Sequence, residues 1–450
     1  MCSLFSLTTR LVLTGSILVA ASTTMAVTQA RLGSPLFFAL AAVMGACQVI
    51  MLLSAGGPAP RKLLLLAFAV AALCRLPLAV GPVRYDSDMI RYVWDGRVQQ
   101  FGINPYAVRP SDAAVAHTHD ADTIRMPSRH ARTPYPPAAQ LFFRMMVTAH
   151  DSARFMKIAL TACDLITILL VWRWLRATGR NEWLTLCYAW SPLVILEVAH
   201  SGHIDGLGAM WIAASALWLT RGRTALASIA FTMAVATKLL PVVLAPLFLG
   251  RVRVRDIALG GALLAALYLP FTSTTIPVGA LPNVVEHIRF NSPIFRPLAW
   301  VVTPQGAAMF ALAVALAAAG WARWRLAVDD PAAWAWPMAL ALACAPVIYP
   351  WYLLYLTPFL LTRATLPLAV WTYTVIPVYI VWERARSGAR WRVPNDLMLV
   401  EYGLVVLVAA ALLIAWRRSS LESRIFPQAG AAPDGHDPRA AAVADSHPGS

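Results

Sequence analysis

Residues 61–80 read RKLLLLAFAVAALCRLPLAV, and residues 83–97, close behind them, read VRYDSDMIRYVWDGR. Arg61 and Lys62 precede the apolar run Leu63–Val80, which is long enough for a helix that crosses a bilayer, since about 20 apolar residues cover the hydrocarbon. The polar run begins where that helix leaves the membrane. Outward from this stretch, comparable apolar runs occupy Leu11–Ala30, Pro35–Ala55, Phe155–Trp174, Trp183–Ala199, Ile204–Thr220, Thr224–Thr237, Pro241–Leu249 and Ile257–Leu269. They continue through Ala307–Ala322, Ala333–Ile348, Tyr352–Leu361, Leu366–Val381 and Leu397–Trp416. The reading is an all-α fold, a polytopic transmembrane helical bundle of about 12–14 helices.

Composition agrees. The chain is 59% hydrophobic and 13% charged, with a mean hydropathy of +0.62. That is more apolar surface than a water-soluble core hides. The formal charge of +15 does not imply a nucleic-acid partner, because the basic residues lie at helix ends, where the positive-inside bias acts. One self-consistent threading places Arg61/Lys62, Arg173–Arg180, Arg221/Arg223, Arg251–Arg255, Arg323/Arg325 and Arg417/Arg418 in the cytoplasm. Both termini are then cytoplasmic, and the membrane is the inner (plasma) membrane. The loop from Glu383 to Arg392 breaks the order, since it carries several arginines and falls outside. Either a helix is miscounted or those arginines bind something anionic. Cys47, Cys74, Cys163, Cys187 and Cys344 lie within apolar runs and offer no disulfide framework. The first apolar run is longer than a signal-peptide core and reads as an uncleaved first helix.

The membrane domain is expected over residues 1–426. Within it, 81–153 and 271–296 form two extracytoplasmic loops, the first long enough for short surface helices. Residues 427–450, rich in Ala, Gly, Pro and Asp, read as a disordered cytoplasmic tail.

Polar residues that could carry chemistry gather on the extracytoplasmic side. Asp86 and Asp88 stand at an interfacial turn, and in a following helix Asp88, Arg91 and Asp95 share a face. A carboxylate at the water–lipid boundary suits a general base, because partial desolvation raises its pKa toward neutrality. Helix capping is the competing reading of the same acids. This pair is also a candidate for holding a divalent cation, although two acids alone do not establish a metal site; no other cofactor is called for. Glu197, His200, His203 and Asp205 place four ionisable groups in nine positions at a membrane boundary, where they need a cavity or partners. Hydrogen bonding to a polar substrate accounts for them better than metal ligation. Lys238 falls at the extracytoplasmic end of its helix, against the positive-inside bias, which favours phosphate binding. Arg289, Asn291 and Arg296 in the second loop, and Trp351 and Tyr352 at the next outer turn, share that side. Asp164, within the fourth run, reads as an interhelical hydrogen-bonding residue.

Taken together, these segments resemble the membrane-embedded GT-C glycosyltransferases that use polyprenyl-phosphate sugars, above all the bacterial mannosyltransferase-like members of glycosyltransferase family 87. The matching pieces run in the family's order: Asp88 to Gly96 with Arg97, Gly102 to Tyr106, Tyr135-Pro136-Pro137, Trp190 to Asp205, Lys238, Asn291 to Phe295 and Pro350-Trp351-Tyr352. Residues 83–88 also resemble the Asp-x-Asp element of the glycosylphosphatidylinositol mannosyltransferase. The chain departs from its relatives at Tyr349, where a His usually precedes Pro-Trp-Tyr, and at Ser87, where many carry a second adjacent acid. The resemblance implies a hexosyltransferase of the cell envelope that moves mannose from a polyprenyl-phosphate donor in the bilayer to a glycan or lipid acceptor, inverting the anomeric carbon. Asp88 or Asp86 would be the catalytic base. Arg91, Asp95, Tyr135, Glu197, His200, His203, Asp205, Lys238, Arg289, Asn291, Arg296, Trp351 and Tyr352 would bind substrate. Two other classes compete, a lipid-linked sugar flippase or transporter and a non-catalytic envelope assembly protein. A transporter site should lie near mid-bilayer and be served by repeats, neither of which is visible here.

Overall fold

The computed structural model describes residues 2–83, 88–272, 277 and 279–425. Asp86 and the tail expected at 427–450 lie outside them. Three long apolar helices come first: α1 (Cys2–Thr28), α2 (Pro35–Ser54) and α3 (Arg61–Val80), with α1 packed on both of the others. Ser34 starts α2 by accepting the Phe37 N–H, and Pro35 supplies a first residue that needs no partner for its nitrogen. The first loop carries α4 (Asp88–Gln100), two 3-10 turns and α5 (Pro137–Ala149), and α4 packs along α5. After Ser152, which caps it, α6 (Ala153–Ala177) returns through the bundle.

The next stretch is broken. It contains α7 (Leu186–Ala189), α8 (Pro192–Val194) and a wide π-turn over Ile195–His200 before α9 (Asp205–Thr220) and α10 (Thr224–Thr237). A 3-10 segment, Leu240–Phe248, leads to α11 (Val254–Tyr268), α12 (Leu281–His287), α13 (Phe295–Val302), α14 (Pro304–Arg325) and α15 (Pro331–Ala343). Further 3-10 turns at Pro350–Tyr355 and Thr357–Phe359 precede α16 (Leu366–Thr374), α17 (Ile380–Arg386) and α18 (Asn395–Ile425). Among the described residues the one β-type contact is an isolated bridge between Phe290 and Val347.

Eight segments are long and apolar enough to cross a membrane: Ser6–Thr28, Pro35–Ser54, Arg61–Val80, Ala153–Ala177, Val254–Phe271, Pro304–Arg325, Arg363–Arg386 and Asn395–Trp416. The chain is therefore a multi-pass helical membrane protein. The six other apolar runs read from the sequence form shorter or interrupted helices, with Pro192, Pro241, Pro246 and Pro350 at or inside the interruptions. Irregular backbone at membrane depth is tolerated where protein buries it and supplies its hydrogen bonds. Here residues 188–199 are buried throughout, and side chains of the long helices satisfy the freed carbonyls. Gln48 Nε2 donates to Leu186 O and Cys187 O, each at 2.9 Å, and Arg75 Nη1 donates to Ala189 O at 2.8 Å.

Arg75 also ties α3 to α6. Its Nε lies 2.5 Å from Asp164 Oδ2, while Tyr188 OH donates to Asp164 Oδ1 at 2.7 Å, and both charged side chains are fully buried. Asp164 is thus the interhelical bonding residue expected of it. Outside the helical core, Arg97 clamps the first loop through Asp120 and Asp151.

Candidate active site

Asp88 opens α4 and is partly exposed, at the end of the helix where the aligned peptide dipoles favour an anion. Its carboxylate lies within electrostatic reach of Tyr92, Tyr135, Tyr349, Tyr352 and Asp205. Tyr92, one turn further along α4, stacks on Phe143 with centroids 4.5 Å apart and meets Tyr135 edge-on at 5.0 Å. The Tyr92 hydroxyl accepts the Ile204 N–H at 3.3 Å, which joins α4 to the break ahead of α9.

That break sets the direction of three ionisable side chains. Gly202 follows the wide turn Ile195–His200, and its φ of +73° is a conformation that favours glycine. A Cβ there would also stand 2.7 Å from Met89 Sδ. Glu197, beyond solvent, accepts the Tyr379 hydroxyl at 2.7 and 2.8 Å. His203 Nδ1 lies 2.9 Å from Glu197 Oε2, within ion-pair range but out of line for a hydrogen bond. Its ring lies flat on Trp351 with centroids 4.1 Å apart, and Trp351 lies flat on Tyr349 at 4.5 Å.

Asp205 and Lys238 form the charged centre. Lys238 follows α10 in an extended conformation, and Pro241 lies in the first turn of the 3-10 segment that comes next. Its Nζ stands 2.6 Å from Asp205 Oδ1 and 3.8 Å above the ring of Tyr352. Asp205 is fully buried, and its Oδ2 has no hydrogen-bond partner among the described residues; the Tyr355 hydroxyl is likewise unpaired. The backbone of α9 comes close at Gly208, where a Cβ would stand 2.0 Å from the Tyr355 oxygen.

The fold thus brings Asp88, Tyr135, Glu197, His203, Asp205, Lys238, Trp351 and Tyr352 to one region. Other candidates have partners of their own. Arg91 and Asp95 pair with each other at 2.7 Å in a buried network, in which Asp95 also accepts Thr133 Oγ1 at 2.5 Å and Gln140 Nε2 at 3.0 Å. Arg289 donates to the carbonyls of Val285, Glu286 and Ile288, and Arg296 stacks over Trp300. Asn291 is buried against Glu401, donating to both carboxylate oxygens at 3.1 Å. His200 meets Ser201 Oγ at 3.2 Å and borders a separate cavity of about 420 Å³ beside Lys157. Tyr92, Tyr379 and Lys157 were not singled out in the sequence, although a lysine inside the fourth apolar run is a signal of its own. Among the described residues no group of three or more His, Cys, Asp and Glu side chains is placed to hold a metal ion.

A buried carboxylate paired with an ammonium, a second carboxylate at a helix start and a wall of stacked aromatic rings can bind a polar, ring-shaped, anionic ligand. Residues 6–255, which include Asp88, the broken stretch and Lys238, match the family model described as alpha-(1->6)-mannopyranosyltransferase, N-terminal domain. No curated protein and no solved structure gives a match. With more than half of its length matched and its membrane bundle built as described, the chain belongs to this mannosyltransferase family and is a mannosyltransferase-like GT-C glycosyltransferase.

Proposed function

We propose that the protein transfers mannose from a polyprenyl-phosphate donor to the hydroxyl of a glycan or lipid acceptor on the extracytoplasmic side of the inner membrane, with inversion. The observation that carries this reading is the grouping of Asp88 with the Asp205–Lys238 pair beneath Tyr352. A transferase acting outside the cytoplasm has no nucleotide sugar at hand, so a lipid phosphate in the bilayer is the chemically accessible donor. Asp88 takes the proton of the acceptor hydroxyl. The oxygen attacks the anomeric carbon from the side opposite the lipid phosphate, and the bond from that carbon to the phosphate oxygen breaks. Negative charge then grows on the leaving phosphate. Lys238, already oriented by Asp205, stabilises it, and one preorganised donor of this kind lowers a barrier by about 3–4 kcal/mol. Arg289 donates to main-chain carbonyls and Arg296 lies over the Trp300 ring, so this reading gives the step to Lys238 first. Glu197, His203, Trp351 and Tyr135 orient sugar and acceptor, with the flat rings against the apolar faces of the sugar.

The test uses purified wild type and Asp88→Asn in detergent with radiolabelled polyprenyl-phosphate mannose and an envelope extract, following loss of label from the lipid. Release by the wild type alone supports the proposal. Release by both proteins moves the base to Asp86, and donor bound but consumed by neither favours the transporter.

A further inference from the structure

The arginine-rich loop after α17 remains unused by the proposed chemistry. It lies on the same face as the α1–α2 turn: Arg386 donates to Leu32 O at 2.8 and 3.3 Å, and Arg31 pairs with Glu383 at 3.8 Å. Since α1 and α3 both rise to the face that carries α4, the loop shares the face of Asp88, and no miscounted helix accounts for its charge. Some of that charge is matched locally. Arg386 also meets Glu383 at 3.1 Å, and Arg392 donates to Asn395 Oδ1 at 3.0 Å. Arg384 and Arg390 are exposed, and among the described residues neither guanidinium has a hydrogen bond or ion pair.

Arg384 lies at the end of a cavity of about 640 Å³ between α2, α16–α17 and the start of α18. Tyr373, Ile376, Ile380 and Arg384 follow one another along it at helical spacing, and Phe38 and Ala42 form the opposite wall. The other side of the same helical stretch faces the active site, where Tyr379 bonds Glu197 and Trp382 meets Trp351 at 6.2 Å. The cavity is therefore separated from the Asp88 region by a helix. Asp396, at the start of α18, is the single acidic residue in its lining.

We propose that this cavity holds an anionic membrane phospholipid, with an acyl chain along Phe38, Ala42, Ile376 and Ile380 and its phosphate at Arg384 and Arg390. Apolar length and the uncommitted guanidinium of Arg384 at one end, with Arg390 following in the same loop, fit one such molecule. The charge complementarity accounts for basic residues on a face where they are ordinarily scarce. Arg to phosphate is the strongest contact of the set, because the planar fork donates two charge-assisted hydrogen bonds. Asp396 limits how much negative charge the headgroup carries, which favours a single-phosphate lipid.

The measurement is retention of phosphatidylglycerol by the full chain after stripping with detergent and reconstitution with defined lipid, read as lipid per protein by native mass spectrometry, with phosphatidylcholine as comparison. Wild type is expected to keep phosphatidylglycerol in preference. Arg384→Gln with Arg390→Gln should weaken its binding roughly tenfold to a hundredfold, the effect of losing hydrogen bonds to a charged group. Ala42→Trp, which fills the tail groove and keeps both arginines, should abolish retention, whereas Arg221→Gln on the opposite face should change nothing. Equal retention of the two lipids by wild type, or unchanged retention in the Arg384/Arg390 variant, overturns the assignment. So does displacement of phosphatidylglycerol by an equimolar polyprenyl phosphate, which would make the cavity a donor site. No sugar transfer is measured, so the result stands apart from the fate of the transferase reading.

Discussion

Lys238→Met and Asp205→Asn should not be equivalent, although they remove the two halves of one pair. The partners are 2.6 Å apart, with the Asp205 side chain fully buried and that of Lys238 21% exposed. Removing Lys238 leaves a carboxylate with no route to water, and one of its oxygens is already unpaired. Breaking a buried pair in this way costs about 3–5 kcal/mol. Removing Asp205 leaves an ammonium that reaches solvent and still lies over Tyr352, a contact worth roughly 0.5–2 kcal/mol. The loss there should be about 1–2 kcal/mol, the scale of one charged hydrogen bond. In the double variant no stranded charge remains, so its destabilisation should fall below the sum of the single ones by more than about 1 kcal/mol. Thermal unfolding in detergent for the four proteins measures this cycle. Transfer from labelled donor adds a second axis: Lys238→Met should lose about 10²–10³ in rate, and Asp205→Asn less, since the cation survives. A larger destabilisation by Asp205→Asn than by Lys238→Met, or additive losses, would refute the argument.

Asp164→Leu should destabilise the bundle by about 3–5 kcal/mol by stranding Arg75, and Arg75→Leu with Asp164→Leu should recover much of that loss in the same unfolding assay. Gly202→Ala forces a Cβ into a left-handed position beside Met89; a loss of about 1–3 kcal/mol is expected, together with slower transfer because Met89 adjoins Asp88. In the first loop, partial burial raises the Asp120 carboxyl, but hydrogen bonds from Arg97 and Thr123 outweigh it and hold the group below its ordinary range. Its contribution is therefore full above the unfolded carboxyl pKa of about 4 and is lost as pH falls through the folded value. Because Asp120 is half exposed, the effect is small, about 0.2–1 kcal/mol. Hydrogen exchange over residues 118–123 should speed up in acid relative to the intrinsic rate, and Arg97→Gln should weaken that dependence, leaving the part due to Thr123.

The long spans were legible because an unbroken apolar run of bilayer length fits little besides a membrane-crossing helix; Pro35–Ser54 starts where its apolar run starts and ends one residue short of it. The broken ones were not. Trp183–Ala199 is as apolar as its neighbours, and what interrupts it is partly supplied from elsewhere, by Gln48 and Arg75 donating to its carbonyls. No local pattern records a hydrogen bond that spans more than a hundred residues. Within the site, Lys238 was legible because a cation at that end of a helix needs a reason. Arg289, Asn291 and Arg296 were grouped with it on the strength of a shared face, and their side-chain partners were not legible there. Asn291 turns instead to Glu401, an acid in the last apolar run whose need for a partner was the signal to follow.

The interruptions and the chemistry are linked by one constraint. A continuous helix satisfies its own backbone and can offer a membrane site only side chains spaced along one stripe. Ending α10 at Lys238, unwinding the chain before Asp205 and starting a 3-10 segment at Pro350 bring side chains from three separate short segments to one region. Upstream of Asp205, carbonyls of the same broken stretch are bonded by Gln48 and Arg75 from the long helices. In this protein the short runs and the breaks beside them supply Glu197, His203, Asp205, Lys238, Trp351 and Tyr352, and the first loop adds Asp88 and Tyr135.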